Sequence, residues 1–417
     1  MSVPKITPES TARSHPSAPH LAAVQAVYDL CIVGLEAHGI RLAARGVGAS
    51  MSVACSDTRP ESIDRFNRAD VGNDMGLVDT IEDGLAEQSV RAFVGAARAH
   101  SFVIGVLPEL QPDGYVDSTP IEDAIDAVVD AAEPGNLVVL DTPTAPGTTR
   151  GLLAEKLQAV GLEPGEDVFA ASVWVTNGRC FVGGVTPRCT QRAAELYGSL
   201  FNLPIQTATA DECELARLAR RTHEEMNAAF ANELSAVSKH LGLDVWSVLS
   251  VARAAGSTTL AAPSPGPADA NARFEPRLFA AACEHDTALT RATISQGELQ
   301  PARIAAEVRS TARRFVSPTI ACLGLGSGPD GSLAHSPAMR VASLIGRGEL
   351  GQLLVVDPRV SVSPISGARL VSLTEALKQA DIVVVLSEEK SFVAAPRELY
   401  SRPSVIDTLG VLTQAPS

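Results

Sequence analysis

The feature that most constrains the fold lies at residues 30–39, where an apolar run leads directly into a glycine turn. The segment reads Leu-Cys-Ile-Val-Gly-Leu-Glu-Ala-His-Gly. A buried strand followed by closely spaced glycines is typical of the first βα turn of a dinucleotide-binding fold, where phosphates lie against a helix N-terminus. Gly34 and Gly39 fit the G-x-G-x-x-G pattern of such a turn. Glu36 replaces its middle glycine, so we expect a negative charge where the pyrophosphate would lie.

Apolar runs alternate with helix-like stretches over the first two hundred residues. This alternation predicts an α/β unit with a parallel sheet covered by helices on both faces. The predicted strands are 30–34, 51–55, 102–107, 136–141 and 179–185, and the predicted helices are 39–45, 60–66, 121–132 and 148–160.

A long helix is predicted after this unit. Thr209 and Glu212 have the spacing of a capping box, and an apolar stripe continues to Leu241, so the helix spans about 30 residues and can link two domains. A second helix is predicted at about 244–255, a Gly/Ser/Pro/Ala-rich loop at 256–276, and more helix to about 314. A second α/β unit follows, with strands at 319–324, 353–356, 381–386 and 404–407.

Composition excludes several classes of protein. The 417 residues carry a formal net charge of −14, which argues against nucleic-acid binding. No apolar run approaches the ~20 residues that span a bilayer, and residues 1–26 are predicted to be a flexible tail and not a signal peptide. The seven cysteines are scattered singly, without metal-ligand spacing, as expected for reduced, buried thiols of a cytoplasmic protein.

Several collinear motifs resemble the UDP-glucose/GDP-mannose dehydrogenase family, particularly its UDP-N-acetylmannosamine branch, over about residues 29–411. Residues 140–149 (LDTPTAPGTT) resemble the family's ESTVPPGTT, 165–169 resemble GEDFF, and 183–187 match GGVTP. The resemblance implies two Rossmann-like doubly wound domains joined by a long central helix and a helical dimerisation region. The implied domains are a tail (1–26), an NAD-binding-like domain (27–205), a dimerisation domain (206–314) and a UDP-sugar-binding-like domain (315–417).

Members of this family oxidise the C6 alcohol of a UDP-sugar to a carboxylate in two NAD⁺-dependent steps, through a cysteine thioester. By this resemblance Asn271 falls at or beside the cysteine position, and residues 214–282 contain no cysteine. Arg217 matches the family's lysine and Glu275 its aspartate, while Arg221 replaces an asparagine. The chain therefore lacks the family's catalytic cysteine and lysine, and also its glutamate, since residues 168–194 contain no carboxylate. Cys283 is expected to be a core thiol.

The resemblance also indicates cofactor positions. Asp57 follows the second strand about 20 residues after the glycine turn, where an acidic residue binds the adenosine ribose, although it could equally cap a turn. Thr144 lies beside Pro143, which replaces the family's threonine. Arg217, with Arg220 and Arg221, could belong to the site or to a solvated helix face.

Three functions remain open from the sequence. The first is a degenerate family member that binds a UDP-sugar, or acts as a scaffold in a homodimer or in a heterodimer with an intact paralogue. The second is a repurposed NAD(P)-dependent oxidoreductase that uses Arg217, Asn271 and Glu275, with His223 more plausibly an exposed helix residue than a proton carrier. The third is an active UDP-sugar 6-dehydrogenase.

Overall fold

The computed structural model describes residues 27–72, 74–256, 260–266, 273–283, 286–326, 333, 336–348 and 350–412. These residues form one mostly parallel sheet, one parallel sheet and a group of helices that includes one of 31 residues. The α/β fold class predicted from the sequence is confirmed. Among the described residues, no helix combines the length and the apolar character needed to cross a bilayer.

The first sheet has eight strands in the order β10-β9-β8-β7-β4-β1-β2-β3. All neighbours are parallel except β8 and β9, which pair antiparallel. The strand order reverses between β1 and β4, and this is the position where open α/β sheets form a ligand crevice. The strands are β1 (Tyr28–Val33), β2 (Val53–Asp57), β3 (Val90–Val94), β4 (Ala99–Ile104), β7 (Leu137–Leu140), β8 (Phe169–Thr176), β9 (Arg179–Gly184) and β10 (Ile205–Thr209).

Helices cover both faces of this sheet, and each face has its own apolar core. A short antiparallel hairpin of β5 (Glu109–Leu110) and β6 (Val116–Asp117) follows β4. The helices are Ala37–Gly48, Pro60–Phe66, Met75–Ala86, Thr119–Ala131, a π-helix at Thr148–Leu153, Ala154–Ala159 and Pro187–Phe201.

The predicted long helix is confirmed as Ala210–His240, here called the central helix. The Thr209 hydroxyl accepts from the Glu212 backbone and the Glu212 carboxylate accepts from the Thr209 backbone, so the predicted capping box is present. Two glycines let strand β9 approach nearby backbone. A Cβ on Gly183 would lie 2.3 Å from the Thr209 carbonyl oxygen at the start of this helix, and one on Gly184 would lie 2.2 Å from the Thr190 amide nitrogen.

Further helices pack along the central helix and lead to the second sheet. They are Val245–Ala254, Glu275–Ala282 and Ala288–Ala312. The second sheet is all parallel, in the order β13-β12-β11-β14-β15, with helices Pro337–Gly346 and Leu373–Gln379 against it. Its strands are β11 (Thr319–Leu323), β12 (Gln352–Val356), β13 (Arg369–Leu370), β14 (Ile382–Val385) and β15 (Ser404–Asp407).

Candidate functional site

The glycine turn after β1 has the backbone that the sequence predicted. Gly34 has a φ of +106°, and a Cβ there would lie 3.0 Å from the Val106 nitrogen, so only glycine fits without strain. A Cβ on Gly39 would lie 1.8 Å from the Gly34 carbonyl oxygen. Glu36 is the N-cap residue of helix Ala37–Gly48, but its side chain makes no capping hydrogen bond. The two glycines therefore determine the backbone of the turn, and Glu36 lies in the turn at the N-terminus of the helix.

Glu36 lies beside an ion pair that closes the end of β2. Both oxygens of Asp57 are engaged, because Oδ2 accepts from the Leu35 backbone at 2.9 Å and Oδ1 accepts from Arg59 Nε at 2.9 Å. Arg59 Nη1 also lies 3.6 Å from Glu36 Oε1. Burial opposes ionisation of Asp57, but the bonds from Arg59 and Leu35 lower its pKa overall. A ribose hydroxyl could reach this carboxylate only by displacing Arg59.

The electrostatics of Glu36 also disfavour a second anion. Burial raises the pKa of Glu36; Arg59 opposes this rise, and Asp57 adds to it. A carboxylate beside a helix N-terminus occupies the place in which a phosphate would otherwise be stabilised. The glycine backbone fits a dinucleotide, whereas the Glu36, Asp57 and Arg59 side chains as placed do not.

The second sheet repeats this arrangement of aspartate and arginine. Asp357 follows β12 and accepts from the Leu325 backbone at 2.8 Å and the Arg359 backbone at 2.9 Å. Arg359 Nη2 lies 2.9 Å from Glu389 Oε1. Gly324, with a φ of +87°, corresponds to Gly34 in the first sheet. The carboxyl edges of both sheets therefore carry the same Asp-x-Arg contact.

Thr144 lies in a buried cluster around Glu214 of the central helix. Its hydroxyl donates to Glu214 Oε1 at 3.4 Å, while Gly147 and Thr149 donate backbone N–H bonds of 2.6 and 2.9 Å. Glu214 thus binds the N-terminus of the π-helix Thr148–Leu153. Burial raises the pKa of Glu214, and the bonds from Thr149 and Gly147 offset part of the rise. The cofactor role predicted for Thr144 stays a prediction.

A charged cluster that sequence reasoning missed surrounds Asp141, directly after β7. Asp141 is 2% exposed; its Oδ1 lies 3.1 Å from His38 Nε2, and its Oδ2 accepts from the Tyr197 hydroxyl at 2.7 Å. Burial would raise the pKa of Asp141, but His38, Arg217 and Tyr197 together lower it. His38 follows the glycine turn and lies against Gly105 after β4, so it stands in the crevice between β1 and β4. The sequence signals for Asp141 were its place at a predicted strand end and within the motif at 140–149, and neither indicated its contacts with His38 and Tyr197.

Arg217 and Glu275, predicted as degenerate catalytic positions, are brought together. Arg217 Nε lies 2.8 Å from Glu275 Oε1, and its Nη1 lies 3.9 Å from Asp141. Arg221 Nε lies 3.9 Å from the other oxygen of Glu275. The side chains of Arg217, Arg221 and Glu275 are only 11%, 14% and 4% exposed. These arginines therefore belong to a buried ion-pair network, and the alternative of a solvated basic face is wrong for them.

The remaining positions singled out from the sequence are Asn271, His223 and Cys283. Asn271 lies outside the described residues, so its role stays a prediction. His223 is exposed on the central helix, as expected. The expectation of a core thiol at Cys283 is wrong, because the helix ends at Ala282 and the Cys283 side chain is exposed.

The buried cysteines offer no ready replacement for a catalytic thiolate. Burial raises the pKa of most of them far above neutrality, so the unreactive thiol form prevails at pH 7. The pKa is raised to about 12 for Cys31, Cys180, Cys213 and Cys322, and well above the usual value for Cys55. Within the described ranges, no cluster of three or more His, Cys, Asp or Glu side chains could hold a metal ion.

Comparisons with known proteins agree with the geometry of the fold. No protein-family model matches the chain. It is 28% identical over 407 residues to an NDP-N-acetyl-D-galactosaminuronic acid dehydrogenase of Ralstonia solanacearum, covering 92% of this chain and 96% of the relative. It is 26% identical over 413 residues to the UDP-N-acetyl-D-mannosamine dehydrogenase of Escherichia coli K12, covering 92% and 98%.

Solved structures show the same fold. The UDP-N-acetyl-mannosamine dehydrogenase of Staphylococcus aureus superposes with a TM-score of 0.82 at 19% identity, covering 93% of this chain and 96% of that one. A UDP-D-ManNAc dehydrogenase of Pyrococcus horikoshii gives a TM-score of 0.78 at 21% identity, covering 93% and 97%. The chain has the two-sheet architecture and the glycine turn, and it matches nucleotide-sugar dehydrogenases over nearly its whole length. It is therefore a homologue of nucleotide-sugar dehydrogenases. These comparisons support the resemblance to the UDP-glucose/GDP-mannose dehydrogenase family that the sequence motifs indicated.

Proposed function

We propose that this chain is a nucleotide-sugar-binding member of the family that has lost the cysteine-dependent two-step oxidation and acts as a binding or scaffolding partner. The observation that carries the proposal is the buried pair of Arg217 and Glu275. The side chains that replace the family's lysine and aspartate neutralise each other at 2.8 Å. A group already paired in this way is less available to stabilise an oxyanion. The absence of cysteine from residues 214–282 supports the same conclusion.

The proposal includes weak or absent binding of NAD⁺. Glu36 supplies a negative charge at the phosphate turn, and Arg59 holds the Asp57 carboxylate. A dinucleotide would have to displace both contacts. The glycine backbone beneath them is intact, so removal of the obstructing charge should restore part of the site.

The test is calorimetric titration with NAD⁺, NADP⁺, UDP-glucose and UDP-N-acetylmannosamine, with absorbance at 340 nm to detect reduced cofactor. We expect a UDP-sugar to bind, the dinucleotides to give no heat, and no reduced cofactor to form. A helix N-terminus stabilises an anion by up to ~1–2 kcal/mol, so Glu36→Gln should strengthen NAD⁺ binding by about tenfold. Glu61→Gln is the matched control, because Glu61 also lies near Arg59 but outside the turn.

Two results would contradict this proposal. Formation of reduced cofactor together with a sugar carboxylate by the wild-type protein would identify an active 6-dehydrogenase. Equal effects of Glu36→Gln and Glu61→Gln would mean that Glu36 does not obstruct the turn.

The scaffolding part of the proposal concerns the central helix. Leu215, Phe230 and Val237 of this helix are 44%, 52% and 55% exposed in the single chain. Apolar side chains at this level of exposure favour a protein partner when they lie near one another. Leu241 and Leu243, just beyond the helix, are also exposed. We propose that a second copy or an intact paralogue covers these residues.

A repurposed oxidoreductase is the second candidate, and the contact of His38 with Asp141 favours it. A histidine oriented by a buried carboxylate is a common arrangement for proton transfer. His38 is 34% exposed in the crevice between β1 and β4. A single oxidation that depends on NAD(P)⁺ and is abolished by His38→Gln would support this candidate over a scaffold.

A further inference from the structure

A cavity lies beside the buried ion-pair network of Arg217, Arg221 and Glu275. It has a volume of about 690 Å³, and none of the predicted site residues that the structure describes lines it. Its walls come from the β5 hairpin at Leu110, from 273–277, from the first half of helix Ala288–Ala312 and from helix Pro337–Gly346. It therefore lies where the first α/β unit, the central helices and the second α/β unit meet.

The charge of this cavity is opposite to that of the whole chain. Among the described residues, four arginines line it, at positions 273, 277, 340 and 347, against two glutamates, at 225 and 298. The chain as a whole carries a formal charge of −14. A concentration of arginine in a concave site of an acidic protein favours an anionic ligand.

Arg273 gives the most direct indication of a ligand. Its Nη1 is buried and has no hydrogen-bond partner among the described residues. Its guanidinium lies 5.6 Å from the Phe274 ring, which offers no counter-charge of its own. Burial lowers the pKa of Arg273, and the neighbouring charge of Arg277 lowers it further. A partly buried guanidinium whose Nη1 lacks a partner is costly, and an anion in the cavity would offset that cost.

The other lining arginines differ in whether they already form an ion pair within the protein. Arg277 is paired with Glu298 and also donates to the Arg273 carbonyl at 2.7 Å. Arg340 and Arg347 lie on the exposed side of helix Pro337–Gly346 and its end, and neither has an ion-pair partner in the described part of the chain. Arg273, Arg340 and Arg347 are therefore the lining guanidiniums that can bind a ligand without breaking an ion pair between described residues.

The remaining walls define the chemistry of the ligand. Apolar side chains line the cavity together with the arginines, so the cavity suits a small molecule with an apolar body and a compact anionic group. They are Leu110, Ile294, Met339 and Leu344. We propose that this cavity binds a small organic anion, a phosphate or a polycarboxylate, through Arg273 and Arg340. Such a ligand would bridge the segment before helix Glu275–Ala282 and the second α/β unit.

The experiment is calorimetric titration of the full chain with glycerol 3-phosphate, inorganic pyrophosphate and citrate at constant ionic strength. We expect at least one probe to bind and to raise the Tm. Arg273→Gln and Arg340→Gln should each weaken that probe by about tenfold, because each removes a charge-assisted contact. Glu298→Gln should strengthen binding, since it releases Arg277 toward the cavity. Arg314→Gln is the control, because Arg314 is exposed and does not line the cavity.

The variants and probes separate a failure to fold from a loss of binding, and a phosphate ligand from a carboxylate. Arg340→Gln alters an exposed side chain, so it keeps the test valid if Arg273→Gln fails to fold. Preference for glycerol 3-phosphate and pyrophosphate would identify a phosphate ligand, and preference for citrate a carboxylate. The proposal is overturned if no probe binds, or if Arg314→Gln weakens binding as much as Arg340→Gln does.

Discussion

At the scale of single residues, Arg217 connects three parts of the molecule. It lies on the central helix, pairs with Glu275 at 2.8 Å and approaches Asp141 at 3.9 Å. Glu275 also faces Arg221. Breaking a buried ion pair by removing one partner leaves the other charge buried and uncompensated. Glu275 is therefore expected to matter more for stability than exposed acidic residues.

We expect Glu275→Gln to lower the free energy of unfolding by about 3 kcal/mol, because Arg217 and Arg221 lose their shared carboxylate. Urea denaturation followed by circular dichroism measures the change. Glu133→Gln is the control; Glu133 pairs with Arg98, and both side chains are about half exposed. Its loss should be below ~1 kcal/mol. Equal losses for the two variants would show that the buried network does not stabilise the fold.

The sequence identified Arg217, Arg221 and Glu275 but not the contacts among them. Arg217 and Glu275 were found through motifs, yet they lie 58 positions apart, and no periodicity links them. The bond between Tyr197 and Asp141 spans 56 positions and was missed. Such contacts depend on how distant strands and helices end at one edge of a sheet, and local patterns do not encode this.

At the scale of elements, the junction of β9 with the central helix depends on glycine. A Cβ on Gly183 would lie 2.3 Å from the Thr209 carbonyl oxygen and 2.6 Å from the Cys213 Cβ. Neither neighbour can move easily, because one is backbone and the other belongs to a buried helix turn. The short distance between strand and helix therefore requires a residue without a side chain.

We expect Gly183→Ala to destabilise the protein by about 2 kcal/mol or more, because the added methyl group forces the helix away from the strand. Thermal unfolding measures the effect. Gly48→Ala is the matched control, since Gly48 ends a helix and a Cβ there meets nothing within 4 Å. The control should be neutral or slightly stabilising. A Gly183→Ala variant as stable as the control would contradict the close approach.

Elements with strong local signals were predicted well from the sequence. The capping box at Thr209 and the apolar stripe gave the central helix, and helix Pro60–Phe66 has the predicted bounds. Strands β3, β8 and β10 were missed. β10 is an edge strand with mostly exposed positions, and β3 is an edge strand in which buried Val90 and Ala92 alternate with more exposed residues. In β8, Ala and Ser interrupt the apolar run. Such strands are specified by their neighbours more than by their own composition.

At the scale of the whole molecule, the exposed apolar residues of the central helix bear on assembly. Phe230 is 52% exposed near the middle of this helix, with Val237 two turns beyond it. The proposed second subunit or paralogue would cover both. A charge placed at Phe230 would have to be desolvated in that interface.

We expect the wild-type protein to sediment at twice its chain mass of 43.5 kDa. Phe230→Glu should weaken the dimer by at least about tenfold, because it buries a carboxylate without a partner. Analytical ultracentrifugation over a range of concentrations measures this. Val160→Glu is the control, since Val160 is 54% exposed in the first α/β unit. A monomeric wild-type protein would contradict a homodimer and leave only a paralogue as partner, whereas equal dissociation of both variants would contradict an interface at Phe230.

The first turns of the central helix are bound to the first sheet by buried charged groups. Glu214 accepts bonds from the π-helix that follows β7, and Arg217 approaches Asp141 at the end of the same strand. The first two turns of the helix therefore cannot separate from the sheet without exposing buried carboxylates. We expect these two turns to open together with the first sheet. The later turns, where Asn232 accepts from the Ser264 backbone and Lys239 pairs with Glu307, contact other elements and can open separately from the sheet. The boundary between two parts of the protein that unfold separately is therefore expected inside one continuous helix and not at a loop.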